Sequence, residues 1–465
     1  MRKPPFGTMT MHSWCIRISV LALVMLNFTC EASWYWPFVK KKDPSTIKDP
    51  TFDEDHQPGM PRQKIRAPEK KEDTISVEHL ENLAKQGNPN AQLALGKIYF
   101  EGRAGQKQDY HKALDLFQKA AQKGNGPAMF NIGLCYDGGF GVRKSLENAL
   151  KWYRKAADVG VPEAQAKVAA IAENTGDFRT AMIYLRMRAD GGDAVCMRKL
   201  ATFILNGMGG DATPADAVEY LKRAAAKGDT RAQVRLADCY ERGIGIEANY
   251  PEMINWLTIA AQDGDPEAQC KLGWCYRRGI GVTRNSDVAT RWLLASAKSG
   301  YAPAQVAIGN CYRDGAGVPQ DINAAVEYYQ LAAEQGDILG EVSLAMACME
   351  GMGVPKNPSE GFRLMKRAAD QGFAPAQTQV GILYEEGMGV QADPAAAVRY
   401  YRMAETAGEL EATWRLGVCL AEGNGVPKDL AAAKPLLVKA AQKGEMNALR
   451  ALSKYFPQEY PSEKK

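Results

Sequence analysis

Histidine is nearly missing from this chain and stops early. The 465 residues hold four, His12, His56, His79 and His111, so residues 112 to 465 contain none. Histidine is the commonest general base and a frequent metal ligand. A Ser-His-Asp triad, a Cys-His pair or an HExxH zinc site is therefore excluded from the main body by composition, while carboxylate or lysine chemistry is not. A charge bias is missing too: 58 Lys plus Arg stand against 54 Asp plus Glu, and no basic stripe runs through the chain. That is too little for a nucleic-acid footprint, so no nucleic-acid partner is expected.

Long apolar runs are also scarce. The run Ile18-Ser-Val-Leu-Ala-Leu-Val-Met-Leu-Asn-Phe28 spans about 11 residues, short of the ~20 needed to cross a bilayer. Arg2, Lys3 and Arg17 precede it, and Cys30 and Ala32 follow as small residues before a cleavage site. Residues 1–32 thus read as a signal peptide, with an uncleaved signal anchor as the alternative. The expected location is extracytoplasmic, periplasmic or secreted, or inner-membrane anchored if the segment stays. Residues 33–75 read as a disordered linker, rich in Pro and charge and without apolar period. Its Ser45-Thr-Ile-Lys48 matches S-x-x-K but has no K-T-G partner downstream, so it carries no enzymatic reading.

What the chain does have is a period. "AQLALGKIYFEG", "AQVRLADCYERG", "AQCKLGWCYRRG", "AQVAIGNCYRDG" and "AQTQVGILYEEG" share a frame with five further stretches. The ten open at Ala91, Ala128, Ala164, Cys196, Ala232, Ala268, Ala304, Gly340, Ala376 and Ala412, and a half-unit opens at Ala448. The spacing is 37, 36 and 32, then 36 throughout. An insertion inside a helix would turn every later side chain by about 100°, so only loops can vary in length. The third unit varies there, with "ENTGDFRTA" for the usual connection.

Counting from each opening residue as offset 0, apolar residues fall at 0, 4 and 8, as in Ala268, Leu272 and Tyr276, one face of a leading helix. Offset 5 is always Gly or Ala, which predicts close approach of a neighbouring helix. A returning helix begins near Asp321 or its equivalent. It is expected to bury a large residue (Trp152, Tyr220, Trp256, Trp292, Tyr328 or Tyr400) and to stop at a left-handed glycine such as Gly264 or Gly300. Gly279-x-Gly281-Val282 is then the turn inside a repeat and not a phosphate loop, since it recurs and follows a helix. Residues 76–456 are predicted to form an all-α, right-handed α-solenoid of about ten 36-residue helix-turn-helix repeats plus a C-terminal capping helix, with 457–465 a tail.

The pattern A-x-x-x-L-G-x-x-Y-x-x-G-x-G-V, then A-x-x-W/Y-x-x-x-A-A-x-x-G, resembles the Sel-one-like repeat family, cousins of the tetratricopeptide repeat. The resemblance covers roughly residues 88 to 456. It implies a non-enzymatic adaptor whose helical array holds other proteins. Bacterial members of the family are often exported, and eukaryotic members serve endoplasmic-reticulum protein degradation. A cysteine-rich branch pairs cysteines eight residues apart, and some of its members have been credited with β-lactamase activity. This chain has Ala157 and Gln165, or Ala261 and Gln269, at the equivalent places, which weakens that carry-over. Its own cysteines, five of them at offset 7 (Cys135, Cys239, Cys275, Cys311, Cys419), read as buried thiols. Cys270 and Cys275 point to different helix faces, so no metal site and no cofactor are expected.

By analogy with tetratricopeptide arrays, leading helices line a concave groove with offsets 2, 6 and 9. The central repeats place Trp274, Arg277, Asn310 and Arg313 there. Trp and Arg dominate interface hot spots, and guanidinium pairs bidentately with carboxylate. These four are the expected partner-binding residues, anchoring an extended peptide or an acidic protein segment. The alternatives are glycan binding through Trp274 and Trp414, or an envelope hydrolase, for which Glu173 and Asp177 are the one carboxylate pair on offer.

Overall fold

The computed structural model describes residues 76–208 and 210–461. The signal or anchor of 1–32, the linker of 33–75 and the last four residues lie outside the described residues. Those described form 22 α-helices and no strand. Val77–Lys85 comes first, Met446–Tyr455 last, and ten helix pairs lie between, from Pro89–Glu101 with Tyr110–Gln122 to Leu410–Glu422 with Leu430–Gln442. The chain is an all-α solenoid. Its described residues divide into two compact units, one of residues 76–272 with 280–282, the other of 273–279 with 283–461. Within each, a leading helix packs on its returning helix and that on the next leading helix.

Local chemistry sets the helix ends. Asp321 caps Ile322–Glu334, its carboxylate accepting the Ala324 N–H at 3.0 Å. The leading helix Ala302–Asp314 ends at Gly315, whose φ of 65° is left-handed and whose N–H donates to Cys311 O. The second glycine of the turn has a further role. A Cβ at Gly389 would collide with the Pro358 carbonyl, because the turn rests on the first residue of the preceding returning helix.

The hairpins close on one contact. The offset-5 residue of the leading helix receives a large side chain from the returning helix. A Cβ built on Gly96 would lie 2.6 Å from the Phe117 ring, on Gly133 2.5 Å from Tyr153, and on Gly309 2.6 Å from Tyr329. Side chains at this place include Phe117, Tyr153, Leu221, Leu257, Leu293, Tyr329 and Tyr401, all essentially out of water. Apart from Phe117, they lie one residue beyond the aromatics expected from the sequence. Trp152, Tyr220, Trp256 and Tyr328 stay half-buried beside them, while Trp292 and Tyr400 are buried. Trp and Tyr keep a polar tip near water while covering the core with their apolar body.

Successive repeats are joined by a side-chain clamp. The amide of Gln165 donates to the Ala157 carbonyl at 3.2 Å and that of Gln269 to Ala261 at 3.1 Å, and Gln92, Gln233, Gln305 and Gln377 do the same eight residues back. These are the places that carry cysteines in the cysteine-rich branch. The other four repeats hold Met129, Met197, Glu341 and Thr413 there, and of these Glu341, 1% exposed, buries a carboxylate that cannot donate. Arg367 supplies what is missing, donating to Glu341 at 2.5 Å and to the Ala333 carbonyl at 3.0 Å, with Gln371 on the second oxygen.

The third unit keeps both helices, Pro162–Asn174 and Phe178–Asp190, and shortens only the turn, where Asp177 caps the second helix through the Thr180 N–H. At the other end, Tyr460 packs with Phe456 against Leu437 and Leu452, and Glu459 pairs with Lys434 at 2.5 Å. No helix among the described residues is long and apolar enough to cross a membrane.

Candidate functional site

Offsets 6 and 9 of the leading helices are mostly half-exposed. Offset 2 leaves that surface in the fifth to ninth repeats, where Val234, Cys270, Val306, Val342 and Thr378 are buried. Val306 and Val342 sit on two leading helices that meet, Ala302–Asp314 and Ile338–Glu350.

The remaining rows carry a charge pattern. An acid at offset 9 or 6 meets a cation at offset 3 of the following repeat. In the first unit Asp137 pairs with Lys167 at 3.4 Å, Glu173 with Lys199 at 2.9 Å, and Asp238 with Lys271 at 2.6 Å. In the second unit Glu385 pairs with Arg415 at 3.6 Å. The Tyr153 and Tyr401 hydroxyls donate to two of these acids, Asp137 and Glu385.

At Arg277 and Arg313 the sign is reversed. Both are offset-9 residues, and the offset-3 positions that follow hold Ala307 and Ser343. The Arg277 guanidinium lies 5.2 Å from the Trp274 ring centre, its Nη1 points at the Cys311 sulfur at 3.7 Å, and its Nη2 is 4.0 Å from Asp314. Arg278 covers the same indole at 5.2 Å. Arg313 grips Asp314 with Nε at 2.8 Å and Nη2 at 3.2 Å. Burial works to lower the Arg313 pKa, but Asp314 and the Tyr329 hydroxyl hold it above its ordinary value. Asn310 accepts from the Tyr329 hydroxyl at 2.7 Å. Burial pushes that hydroxyl up to about 12, so it remains a donor at neutral pH.

Arg277 and Arg313 are thus gathered around Asp314, Trp274 lies beneath Arg277, and Asn310 is tied to Tyr329. Asp314 and Tyr329 escaped the sequence reading. Asp314 adjoins Arg313 in the chain, and Tyr329 is signalled by the glycine opposite it. The other candidates are occupied structurally: Glu173 holds Lys199, Asp177 caps a helix, and Trp414 stacks under Arg415 at 4.8 Å. The eight described cysteines are buried. Burial pushes the thiols of Cys135 and Cys239 up to about 11 and that of Cys419 up to about 12, away from the thiolate a nucleophile requires. Among the described residues no group of three His, Cys, Asp or Glu is placed to hold a metal ion.

The family model described as "Sel1 repeat" matches nine times, over residues 89–125, 126–161, 194–229, 230–265, 266–301, 302–337, 339–373, 374–409 and 410–445. The chain belongs to the Sel1 repeat family. The short third unit is not among the matched Sel1 repeats, although it keeps both helices. A solved Sel1-like structure, a protective antigen of uropathogenic Escherichia coli strains, is 30% identical with a TM-score of 0.59, covering 84% of each chain. A Sel1 repeat protein from Oxalobacter formigenes is 27% identical with a TM-score of 0.50, covering 73% of this chain and 89% of that one. Curated relatives match locally. The ERAD-associated E3 ubiquitin-protein ligase component HRD3 of Candida glabrata is 39% identical over 80 residues, 17% of this chain and 9% of the relative. Chitin synthase regulatory factor 3 of Schizosaccharomyces pombe is 31% identical over 83 residues, 18% and 9%. The chain therefore spans about a tenth of the length of these curated relatives.

Proposed function

We propose that this Sel1 repeat protein is a non-catalytic scaffold acting outside the cytoplasm, in a bacterial envelope or secreted, and that it holds protein segments along its leading-helix face. One observation carries this reading. The positions that close each repeat stay alike from copy to copy, while half-exposed offsets 6 and 9 differ in size and charge, as a surface offering each stretch of a partner something different would. The curated relatives are named as a ligase component and a regulatory factor, roles exercised through other proteins. The extracytoplasmic placement rests on residues 1–32.

The test is affinity capture by the full chain from envelope extract, with two variants shown to be folded. Trp274→Ala with Trp414→Ala alters the leading-helix face, and Lys155→Glu with Lys439→Glu alters the returning helices. Partners retained by wild type and by the second variant, and lost by the first, are expected. Partners lost only by the second would move binding to the returning helices. Turnover of β-lactams by the purified chain would overturn the non-catalytic reading.

A further inference from the structure

The geometry points to Asp314 as a built-in stand-in for a ligand carboxylate: we propose that Trp274, Arg277 and Arg313 receive an acidic, extended segment of a partner protein, whose carboxylates displace Asp314. This rests on the scaffold reading and adds the chemistry of the partner.

Three observations carry it. First, elsewhere on these rows an acid is met by a cation from the following repeat, as Glu385 is by Arg415. At Arg277 and Arg313 the row is cationic instead, and Ala307 and Ser343 bring no charge from the following repeats. Second, the carboxylate that both guanidiniums reach is Asp314, at 4.0 Å from Arg277 and 2.8 Å from Arg313. Its side chain is 41% exposed, and it is joined to Arg313 as a sequence neighbour. Rotating it away breaks one contact between helices, the 4.0 Å pair with Arg277, and an ion pair so long and exposed contributes little to stability. Third, Arg277 is held over the Trp274 ring, which pre-orders the guanidinium beside an apolar surface that a peptide stem can cover. Arg278, over the same ring, adds a further positive charge. A carboxylate entering here meets the complementary charge that sets both specificity and association rate.

The test uses the full chain and a fluorescein-labelled hexaglutamate peptide, with affinity read by anisotropy at low and at physiological salt. Binding to wild type should weaken as salt rises. Arg277→Ala should weaken it about tenfold or more. Asp314→Asn should strengthen it about three- to tenfold, by removing the internal competitor. Unchanged thermal melting in both variants separates these effects from loss of fold. Weaker or unaltered affinity in Asp314→Asn overturns the proposal, because Asp314 would then orient the arginines and not occupy the ligand's place. Failure of hexaglutamate to bind wild type at low salt overturns it as well. Tighter binding of inorganic polyphosphate of equal charge, with the same dependence on Arg277, would reassign the surface to a phosphate polyanion. If these arms fail while capture still depends on Trp274 and Trp414, the scaffold stands and only its acidic partner falls. If that dependence is lost too, both readings fall together.

Discussion

The fit of Phe117 over Gly96 sets up a sharp test of how these repeats close. An alanine Cβ at Gly96 would stand 2.6 and 2.8 Å from two carbons of the Phe117 ring and 3.3 Å from the Ala113 carbonyl. Phe117 is fully buried, so its ring has little room to move aside. Overpacking of this kind costs about 1–3 kcal/mol. Replacing a helical glycine by alanine returns roughly 0.5–1 kcal/mol of backbone entropy. Gly96→Ala should therefore lose about 1–2 kcal/mol net. Phe117→Leu should by itself lose roughly 1–2 kcal/mol through the space it leaves. Together the two changes should cost less than their sum, because the new methyl enters the vacated volume and the ring carried no hydroxyl to strand. Gly417→Ala is the control: its neighbour is Leu437, with the nearest atoms at 2.8 Å, and Ala237 faces the buried Leu257 at the same place in another repeat. Its change should stay within about 0.5 kcal/mol of zero. Repeat arrays need not unfold in one step, so urea titration by helical circular dichroism should be paired with hydrogen exchange on the first repeat. A stabilised Gly96→Ala, or losses that simply add in the double variant, would refute the close-contact account.

Arg367→Ala should destabilise the eighth repeat by about 1–3 kcal/mol, since it strands the buried Glu341 carboxylate, the half-exposed Arg367 placing the loss below a fully buried pair. Adding Glu341→Gln should restore most of it, glutamine being the residue that clamps six other repeats; urea midpoints of the single and double variants decide. The raised thiols give a pH signature with a definite sign. An unfolded cysteine ionises from its ordinary 9.0 while Cys135 and Cys239 hold their protons to about 11 and Cys419 to about 12. Their contribution is therefore full below about pH 9 and lost as pH rises to about 11 and 12. Iodoacetamide at pH 8 should leave all three unlabelled until urea is added, and rapid native labelling would contradict their burial. Trp274→Ala should weaken partner binding by about 2 kcal/mol or more with little change in melting temperature, measured by titration against a captured partner. Loss of fold instead would make Trp274 a packing residue.

The repeat was legible because its period is enforced by packing, and packing leaves few choices. Offset 5 shows this best. Small residues there announced a close helix approach, and the structure supplies the side chain that approaches. That side chain was misplaced by one residue, because a helix has 3.6 residues per turn and two adjacent positions share its inner edge. Trp152 and Tyr153, or Tyr328 and Tyr329, both look like core. Part of the signal was in the sequence all the same, although Gly273 and Gly417 face Leu293 and Leu437 and not rings. Glycines 96, 133, 309 and 381 face Phe117, Tyr153, Tyr329 and Tyr401, whereas Ala201, Ala237 and Ala345 belong to repeats whose buried residue is Leu221, Leu257 or Met365. A ring needs the missing methyl and an aliphatic chain does not.

The surface rows follow another logic. Asp137 and Lys167 are 30 residues apart, and Glu173 and Lys199 are 26 apart across the repeat that is four residues shorter. The spacing tracks the repeat length, so these cross-repeat pairs could have been found by looking one period less six residues ahead. Applied to Arg277 and Arg313, the same step lands on Ala307 and Ser343, and marks the place where the pairing stops. What no spacing could disclose is Asp314, because a guanidinium's choice between the next repeat and its own neighbour is settled by side-chain torsions. Packing fixes the interior of every copy alike. Whatever distinguishes one repeat's task from the next must therefore lie in rows that packing leaves open, and in the second unit the charge row changes sign at Arg277 and Arg313.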